Sequence, residues 1–257
     1  MTRKIFRRIF PKGYTFLTWQ AVFLFVVAWE VGASLSVPWP SLLEIGHVLA
    51  RNARDPGFVQ ALIGSARRMA IGYSLVVLLG VSVGLVLGRL KYVDQLLGSM
   101  AVAIHAIPGA AWVPLSILWF GMTEQAVIFT ILLGAAGIVI VETDTGIREV
   151  PSLIARAAKT MGARGWRYFW FVIVPAAIPK IVGGLRLAWA FGWRALMAGE
   201  LLTSVSGLGQ RLNQVAKAQQ LDELLAIMLL IAAIGILIDG LIFKRLEYEV
   251  RVRWGLV

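Results

Sequence analysis

Long apolar runs, most of them close to the length of a bilayer-spanning helix, recur along this chain of 257 residues. A helix that crosses the hydrocarbon core of a membrane needs about 20 mostly apolar residues. Six runs meet or approach this length: 14–35, 69–87, 96–119, 126–141, 171–202 and 224–243. The pattern predicts an all-α membrane protein with six transmembrane helices.

The segments between these runs differ in character. Apolar residues at helical spacing in 42–49 predict a short amphipathic helix at the outer surface, before the second span. In 149–170 apolar residues recur at helical spacing with basic residues between them, which predicts two short cytoplasmic helices separated by Gly162. The stretch 204–223 is polar and glycine-containing, and we expect a flexible outer loop there.

Composition strengthens the membrane assignment. The chain is 59% hydrophobic and 15% charged, with mean hydropathy +0.79, whereas globular domains average about 45–50% apolar and 25% charged residues. A soluble particle of this size cannot hide so much apolar surface. The absence of cysteine excludes a disulfide framework, an iron–sulfur cluster and a thiol nucleophile. His47 and His105 are far apart in the chain, and we expect no metal site.

The basic residues indicate an orientation. A net charge of +11 is compatible with nucleic-acid binding, but in a membrane protein Lys and Arg more often mark the cytoplasmic side, and we expect no nucleic-acid partner. With the N-terminus inside, sixteen of the 25 Lys and Arg residues fall in cytoplasmic segments, six in outer segments and three within the fifth run. This bias predicts that both termini are cytoplasmic, with a basic N-terminal segment at 1–13 and the transmembrane domain at 14–257.

Ionisable residues within or beside the spans are candidates for function, because a charge in the membrane is costly. Glu142 ends the fourth run, Glu200 lies near the outer end of the fifth, and Asp239 near the inner end of the sixth. The competing interpretation is interhelical pairing, for which the fifth run offers three bases: Lys180, Arg186 and Arg194. Pairing is the favoured interpretation for Asp239, one turn from Lys244. For Glu142 and Glu200 both interpretations stay open.

Prolines interrupt two of the runs. Pro108 and Pro114 lie in the third, and Pro175 and Pro179 lie in the fifth. Broken helices are tolerated in lipid only against protein or a water-filled cavity, so the cluster favours a transport pathway over a plain helical bundle, although a packing kink explains a single proline equally well. His105 precedes Pro108 by three residues and is a further candidate, against the common alternative of a buried, hydrogen-bonded histidine.

No sequence pattern supports catalysis. The chain has no glycine-rich nucleotide loop followed by lysine and no H-E-x-x-H pair. We therefore expect a conduit that another protein energises rather than an enzyme. A self-sufficient channel, an ion-driven carrier and a membrane enzyme are the alternatives from other classes.

The most specific signal lies in the cytoplasmic stretch. Arg156-Ala157-Ala158, then Gly162, then Val174-Pro175 resemble the E-A-A…G…I-x-L-P loop of bacterial ABC-importer permeases. In that family a short coupling helix of the loop docks in a cleft of a separate ATPase. The resemblance assigns the coupling role to Arg156, Ala157, Ala158, Gly162, Val174 and Pro175.

Further motifs occur in the order that the family shows. Residues 65–73 resemble the start of its second span, and 107–121 are similar to the I-P-x-x-A-x-x-P-L-x-I-L-W-F-G signature of the nitrate/sulfonate/taurine/bicarbonate-type importers. Residues 199–209 resemble their A-E…G-x-G element, and 246–254 their L-E…R-W end.

The resemblance implies the type I importer architecture, with multiple spans in the bacterial inner membrane. It implies assembly with a second permease copy, usually as a homodimer in this family, with two cytoplasmic ATPase subunits and with an extracytoplasmic substrate-binding protein. ATP with Mg would bind to the ATPase, and this chain would bind no cofactor. Substrate movement would follow alternating access.

Two departures bear on the partners and the substrate. Arg156 stands where the family usually has Glu, which implies acidic partners on the ATPase or a dispensable charge. Glu142-Thr143 stands where members often show Asn-Thr. An ionised carboxylate facing the cavity would disfavour an anion by roughly 1–4 kcal/mol, and would suit a heterocyclic or cationic solute such as a pyrimidine vitamin precursor or a flavin. Pairing of Glu142 with Arg148 would remove that inference. The pathway candidates are His105, Pro108, Trp112, Pro114, Glu142, Thr143 and Glu200.

Overall fold

The computed structural model describes residues 12–35 and 39–255, and their regular structure is helical throughout. Most of the predicted basic segment 1–13 lies outside the described residues. We number the α-helices in chain order: α1 Lys12–Leu35, α2 Leu42–Asn52, α3 Pro56–Arg89, α4 Lys91–Ala106, α5 Val113–Phe120, α6 Glu124–Arg148, α7 Ser152–Thr160, α8 Gly165–Tyr168, α9 Val174–Leu202, α10 Leu208–Lys217, α11 Leu221–Ile238 and α12 Lys244–Arg253. A 3₁₀ turn at Gly109–Trp112 and two π-helical segments, Phe169–Ile173 and Asp239–Phe243, join some of them.

Four continuous helical stretches in the described residues are long and apolar enough to cross a membrane: Pro56–Arg89, Glu124–Arg148, Gly165–Leu202 and Leu221–Arg253. The bent pair Gly98–Ala106 and Gly109–Phe120 makes a fifth if it counts as one span. The apolar part of α1, Phe23–Leu35, is shorter than a full span. The all-α membrane class is confirmed, while the count of six remains a prediction.

The third predicted span is broken rather than merely kinked. Its two halves meet at 98°. Ile107 adopts extended backbone angles, because the ring of Pro108 disfavours the helical conformation of the residue before it and Pro108 has no N–H to continue the helix. Pro114 lies in the first turn of α5, where a proline is tolerated.

The other spans extend beyond their apolar runs. Helix α3 begins at Pro56 because Asp55 caps it, accepting hydrogen bonds from the N–H groups of Gly57 and Phe58. The fifth span begins at Gly165 and passes through the π-segment before Pro175. Hydropathy marks only the part of a helix that lies in lipid, so it underestimates both lengths.

Both segments that the sequence predicts to lie outside the membrane contain helix. The predicted amphipathic helix at 42–49 is confirmed as α2, which Ser41 and Glu44 start with a reciprocal capping box. Its buried face packs on Ala226 of α11. The stretch 204–223, expected as a flexible loop, contains α10; its Leu208 and Val215 pack into a core cluster with Phe58 and Ile227, burial that turn residues alone do not signal.

Helix α6 forms the centre of the described fold, with α3 and α9 packed along it. The α3 contact is close because four glycines of α3 face branched side chains of α6. A Cβ at Gly80 would lie 2.7 Å from Val139 Cβ, and one at Gly88 would lie 2.7 Å from Ile147 Cδ1. Small residues at such positions let helix backbones approach in a membrane, where packing rather than apolar burial drives association.

Candidate functional site

The predicted coupling loop forms a defined pair of short helices, α7 and α8. Helix α7 ends in a Schellman motif, in which the Ala163 N–H donates to the Ala158 carbonyl at 3.0 Å and the Gly162 N–H to the Lys159 carbonyl at 3.1 Å. This motif requires a left-handed residue, and Gly162 has φ +87°. Gly162 therefore allows the chain to turn between the two helices, as the sequence predicted.

The surface of this segment carries large apolar side chains in solvent. Leu153 is 72% exposed, Met161 87% and Trp166 61%. Arg156 turns back along α7, where its Nε donates to the Ser152 carbonyl at 3.3 Å. Ala157 is exposed and Ala158 half-buried, which leaves room for a partner to approach. Leu153 and Met161 lie before the fifth span and Trp166 lies in its first turn. Exposed apolar groups concentrated in this way are typical of a protein–protein contact.

The coupling segment is attached to three spans. The Arg89 guanidinium, at the end of α3, stacks over the rings of Trp166 at 4.4 Å and Phe169 at 4.8 Å. Val174 begins α9, and the carbonyl of Pro175 accepts a hydrogen bond from Trp254 Nε1 at 2.8 Å. The segment that contains α7 and α8 is therefore in direct contact with α3 and continuous with the start of α9, which in turn contacts the end of the last helix.

Two adjoining cavities, of about 860 and about 680 Å³, follow one face of α9 and share Ala190 and Asp239. We call them together the α9 groove. Its charged lining residues are Glu142, Lys180, Arg186, Arg194, Asp239, Lys244, Glu247 and Arg251. The groove thus has three carboxylates and five bases, a net positive lining.

Most of these charges are paired. Arg186 donates to both oxygens of Asp239, at 2.6 and 2.9 Å, and to Glu247 at 2.9 Å. Lys180 Nζ lies 3.6 Å from carboxylate oxygens of Glu142 and of Glu149. The pairing expected for Asp239 is therefore present, but its partner is Arg186 on the neighbouring helix rather than Lys244.

The pairing of Glu142 also differs from the expected one. Its partner is Lys180, whereas Arg148 donates to Asp144 at 2.7 Å, because i and i+4 positions of one helix face each other. Glu142 still lines the groove, so its pairing and its exposure to the groove coexist. The adjacent Thr143 is fully buried against Gly84 of α3, away from the groove.

The candidates in the third span cluster at its break. His105 is half-buried, with its ring 5.5 Å from that of Phe191 on α9. Pro108 and Pro114 are exposed and Trp112 is half-buried. The Nε1 of Trp112 is buried and has no hydrogen-bond partner among the described residues.

Glu200 is enclosed rather than open to a cavity. Its exposed fraction is 0%, and it accepts hydrogen bonds from Arg68 at 2.7 and 3.0 Å, from Ser65 at 2.7 and 2.8 Å, and from the Gly209 N–H at 3.0 Å. Ser65 and Arg68 were not singled out for function from the sequence. Their arrangement with Glu200 explains why the motifs at 65–73 and 199–209 occur together.

Arg194 was considered only as an interhelical partner. The signal that distinguishes it is its spacing on α9: positions 180, 183, 187, 190 and 194 follow one another at three or four residues and share the groove-facing side. Among the described residues no carboxylate lies within ion-pair distance of Arg194.

Comparisons with known proteins agree with this geometry. The family described as binding-protein-dependent transport system inner membrane component matches residues 77–247. The taurine transport system permease protein of Escherichia coli is 31% identical over 225 residues, 84% of this chain and 82% of its own. A putative ABC transporter permease protein of Methanocaldococcus jannaschii is 33% identical over 176 residues, 68% of this chain and 66% of its own. Other relatives are named as bicarbonate, nitrate and aliphatic sulfonate permeases.

The fold has a solved counterpart. The inward-facing MetNI methionine ABC transporter superposes with TM-score 0.65 at 18% identity, over 76% of this chain and 96% of its own. This similarity identifies the architecture as that of type I importer permeases. The chain belongs to the inner-membrane permease components of binding-protein-dependent ABC transport systems.

Proposed function

We propose that this chain is the membrane-spanning subunit of an ATP-driven importer that moves a small anion, of the nitrate, sulfonate or taurine type, across the cytoplasmic membrane by alternating access. One observation carries the proposal: an exposed apolar coupling segment is attached directly to α9, the helix whose open face forms a positively lined groove.

The coupling half of the proposal rests on the surface of α7 and α8. Leu153, Met161 and Trp166 would fill a cleft on a cytoplasmic ATPase, which would bind ATP with Mg. Closure of the ATPase would move α7, and the stacked Arg89 and the start of α9 would follow it. Both termini would then be cytoplasmic.

The transport half rests on the open side of α9. A charged groove in a membrane span is stable only against protein or water. A second copy of this chain would cover it, and the pathway would run between the two copies. A substrate-binding protein would deliver the solute from outside, where α2 and α10 would face it.

The charge of the groove favours an anion. A cationic or heterocyclic solute was the alternative because Glu142 carries a carboxylate. That carboxylate lies 3.6 Å from the ammonium of Lys180, which offsets its charge. The groove as a whole has more bases than carboxylates. Relatives named for taurine, bicarbonate, nitrate and sulfonate transport support the same substrate class.

The test has two parts. The binding protein encoded beside this chain is screened by thermal unfolding against nitrate, sulfonates, taurine and bicarbonate, and against pyrimidines, flavins and cationic amines. A ligand at 100 times its Kd stabilises by about 2.7 kcal/mol. The hit is then used for uptake into proteoliposomes that contain the permease, its ATPase and the binding protein.

We expect an anionic or sulfonate hit, and uptake that requires both ATP and the binding protein. A heterocyclic or cationic hit would replace the substrate class but leave the importer in place. Uptake by the permease alone, without ATP, would overturn the importer and favour a channel or carrier.

A further inference from the structure

Arg194 is an ionisable residue in the membrane without a carboxylate partner in the described part of the chain. It precedes the outer end of α9 by eight residues, which places it about 12 Å inside that end at 1.5 Å per residue. Charged side chains at such positions normally pair or face a water-filled cavity, and they mark substrate or ion pathways. Of the four other bases that line the groove, Lys180, Arg186 and Arg251 each have a carboxylate within 4.0 Å. Lys244, like Arg194, has no carboxylate of the described residues within that distance.

The contact that Arg194 does make leaves its donors free. Its Cζ lies 5.4 Å from the centre of the Phe191 ring, in a cation–π arrangement. Such stacking holds the guanidinium by its face, and the N–H groups at its edge remain available for an acceptor.

The surroundings of Arg194 in the α9 groove do not neutralise it. The cavity of about 680 Å³ that it lines contains two other charged residues, Lys244 and Asp239. Both oxygens of Asp239 are occupied by Arg186. The rest of the lining is mainly apolar, with Trp189 and Trp193 stacked on each other at 5.8 Å. Among the described residues, an anion that enters this cavity meets two bases without an ion-pair partner, the Lys244 ammonium and the Arg194 guanidinium, and only the guanidinium offers a planar pair of donors.

A second observation places Arg194 at the level of the broken span. Gly109, just after the break, packs so closely on α9 that a Cβ there would lie 3.3 Å from Ala195 Cβ. His105, just before the break, contacts the ring of Phe191 on which Arg194 stacks. Non-helical backbone at membrane depth is tolerated where it lines a cavity. The break and the free arginine, two independent features, therefore meet at one depth.

We propose that the Arg194 guanidinium binds the oxyanion group of the substrate during its passage through the membrane. The planar fork of arginine donors matches the paired oxygens of a nitrate, carboxylate or sulfonate. A single such contact, without further fixed donors, would hold the anion long enough to enter the groove and release it when the groove reopens. The inference rests on the proposed import function and assigns its selectivity within the membrane to this residue.

The experiment uses the reconstituted complex of permease, ATPase and binding protein, with the anion identified by the thermal screen. Arg194→Gln removes the charge, Arg194→Lys keeps the charge without the planar fork, and Arg245→Gln is the matched control, because Arg245 is an exposed arginine on the cytoplasmic α12. Three quantities are measured for each variant: assembly by size exclusion, ATP hydrolysis stimulated by the loaded binding protein, and anion uptake per ATP hydrolysed.

We expect Arg194→Gln to assemble and to hydrolyse ATP, with uptake per ATP lower by about 10- to 100-fold, the usual range for loss of a charge-assisted hydrogen bond. Arg194→Lys should retain more uptake than Arg194→Gln, and Arg245→Gln should match the wild type. A purely structural arginine, for instance one paired with a carboxylate of the second copy, would lower assembly, hydrolysis and uptake together, and that result would overturn the proposal.

Normal uptake per ATP by Arg194→Gln would also overturn the proposed role of Arg194. ATP-dependent uptake by the wild type would still support the importer function in that case. If Arg194→Gln does not assemble, the Arg194→Lys variant provides the test. Wild-type uptake per ATP together with unchanged discrimination between planar and tetrahedral oxyanions would contradict the role of the guanidinium fork. A changed discrimination between these oxyanions would support it.

Discussion

Glu200 shows how much one buried carboxylate can organise. It receives hydrogen bonds from α3 through Ser65 and Arg68 and from the first turn of α10 through the Gly209 N–H. Arg68, 1% exposed, also donates to the Ser206 carbonyl at 2.5 Å. Buried charges are tolerated only when they are paired and hydrogen-bonded, and both are satisfied here. This cluster fixes the N-terminal part of α3 and the C-terminal end of α9 to each other and to α10.

Glu200→Gln should therefore destabilise the protein rather than alter substrate choice. The substitution leaves the Arg68 guanidinium without its buried counter-charge, which typically costs about 3–5 kcal/mol. Thermal unfolding of the purified protein measures the effect, with Glu249→Gln as control because the Arg245–Glu249 pair is exposed and such pairs contribute about 0–1 kcal/mol. Equal unfolding temperatures for the two variants would contradict the assigned role.

The sequence indicated that Glu200 was unusual but gave no way to choose between a pathway residue and a structural one. Its partner Arg68 is 132 positions away. Pairing at that distance depends on how α3 packs against α9, which local patterns do not encode.

At the scale of elements, the coupling segment is the part most fully predicted by local chemistry. Apolar residues at helical spacing, with basic residues between them, predict two short helices, and Gly162 determines where the first one ends. The space around Gly162 is open, with no atom of the described chain within 4 Å of a Cβ at that position. Any effect of substitution there comes from the backbone or from a partner.

Gly162→Val and Gly162→Asn separate these causes. A β-branched residue in the left-handed conformation costs roughly 1–2 kcal/mol, whereas Asn adopts that conformation more readily. We expect the affinity of the ATPase for the permease in nanodiscs to fall by about 5- to 30-fold for Gly162→Val, the equivalent of that cost, and less for Gly162→Asn. Equal affinities for the two variants would show that the turn does not position α7.

The geometry of the break in the third span, unlike the coupling segment, could not be predicted from local sequence. Pro108 predicted an interruption, but the angle of 98° and the position of the break beside Ala195 depend on neighbouring helices. Proline removes one hydrogen bond and restricts one residue. The direction that the chain takes afterwards is set by what it packs against.

At the scale of the whole molecule, close packing of α3 on α6 holds the described spans together. A Cβ at Gly84 would lie 2.5 Å from Thr143 Cβ and 2.8 Å from the Ile140 carbonyl oxygen. A Cβ at Gly72 or Gly80 would lie within 2.9 Å of an α6 side chain. These contacts build the scaffold on which α9 presents its groove.

Gly84→Ala should separate α3 from α6 and lower the unfolding temperature, since overpacking of this kind costs typically about 1–3 kcal/mol. Gly46→Ala is the matched control, because no atom lies within 4 Å of a Cβ there and alanine favours a helix interior over glycine by up to about 1 kcal/mol. Thermal unfolding compares the two. A Gly84→Ala protein as stable as the control would contradict the close approach of the backbones.

The sequence by itself determined the helical membrane class, the positions of most spans and the coupling segment, because run length, helical spacing and the chemistry of Gly and Pro act over a few residues. Only the tertiary structure decided which charges meet. Arg186 pairs with Asp239 from 53 positions away, and Lys180 pairs with Glu142. Glu200 is enclosed by Arg68, and Arg194 faces the groove with no carboxylate of the described residues within ion-pair distance. Each outcome depends on the relative rotation of packed helices, which is a property of side-chain interlocking across the whole fold.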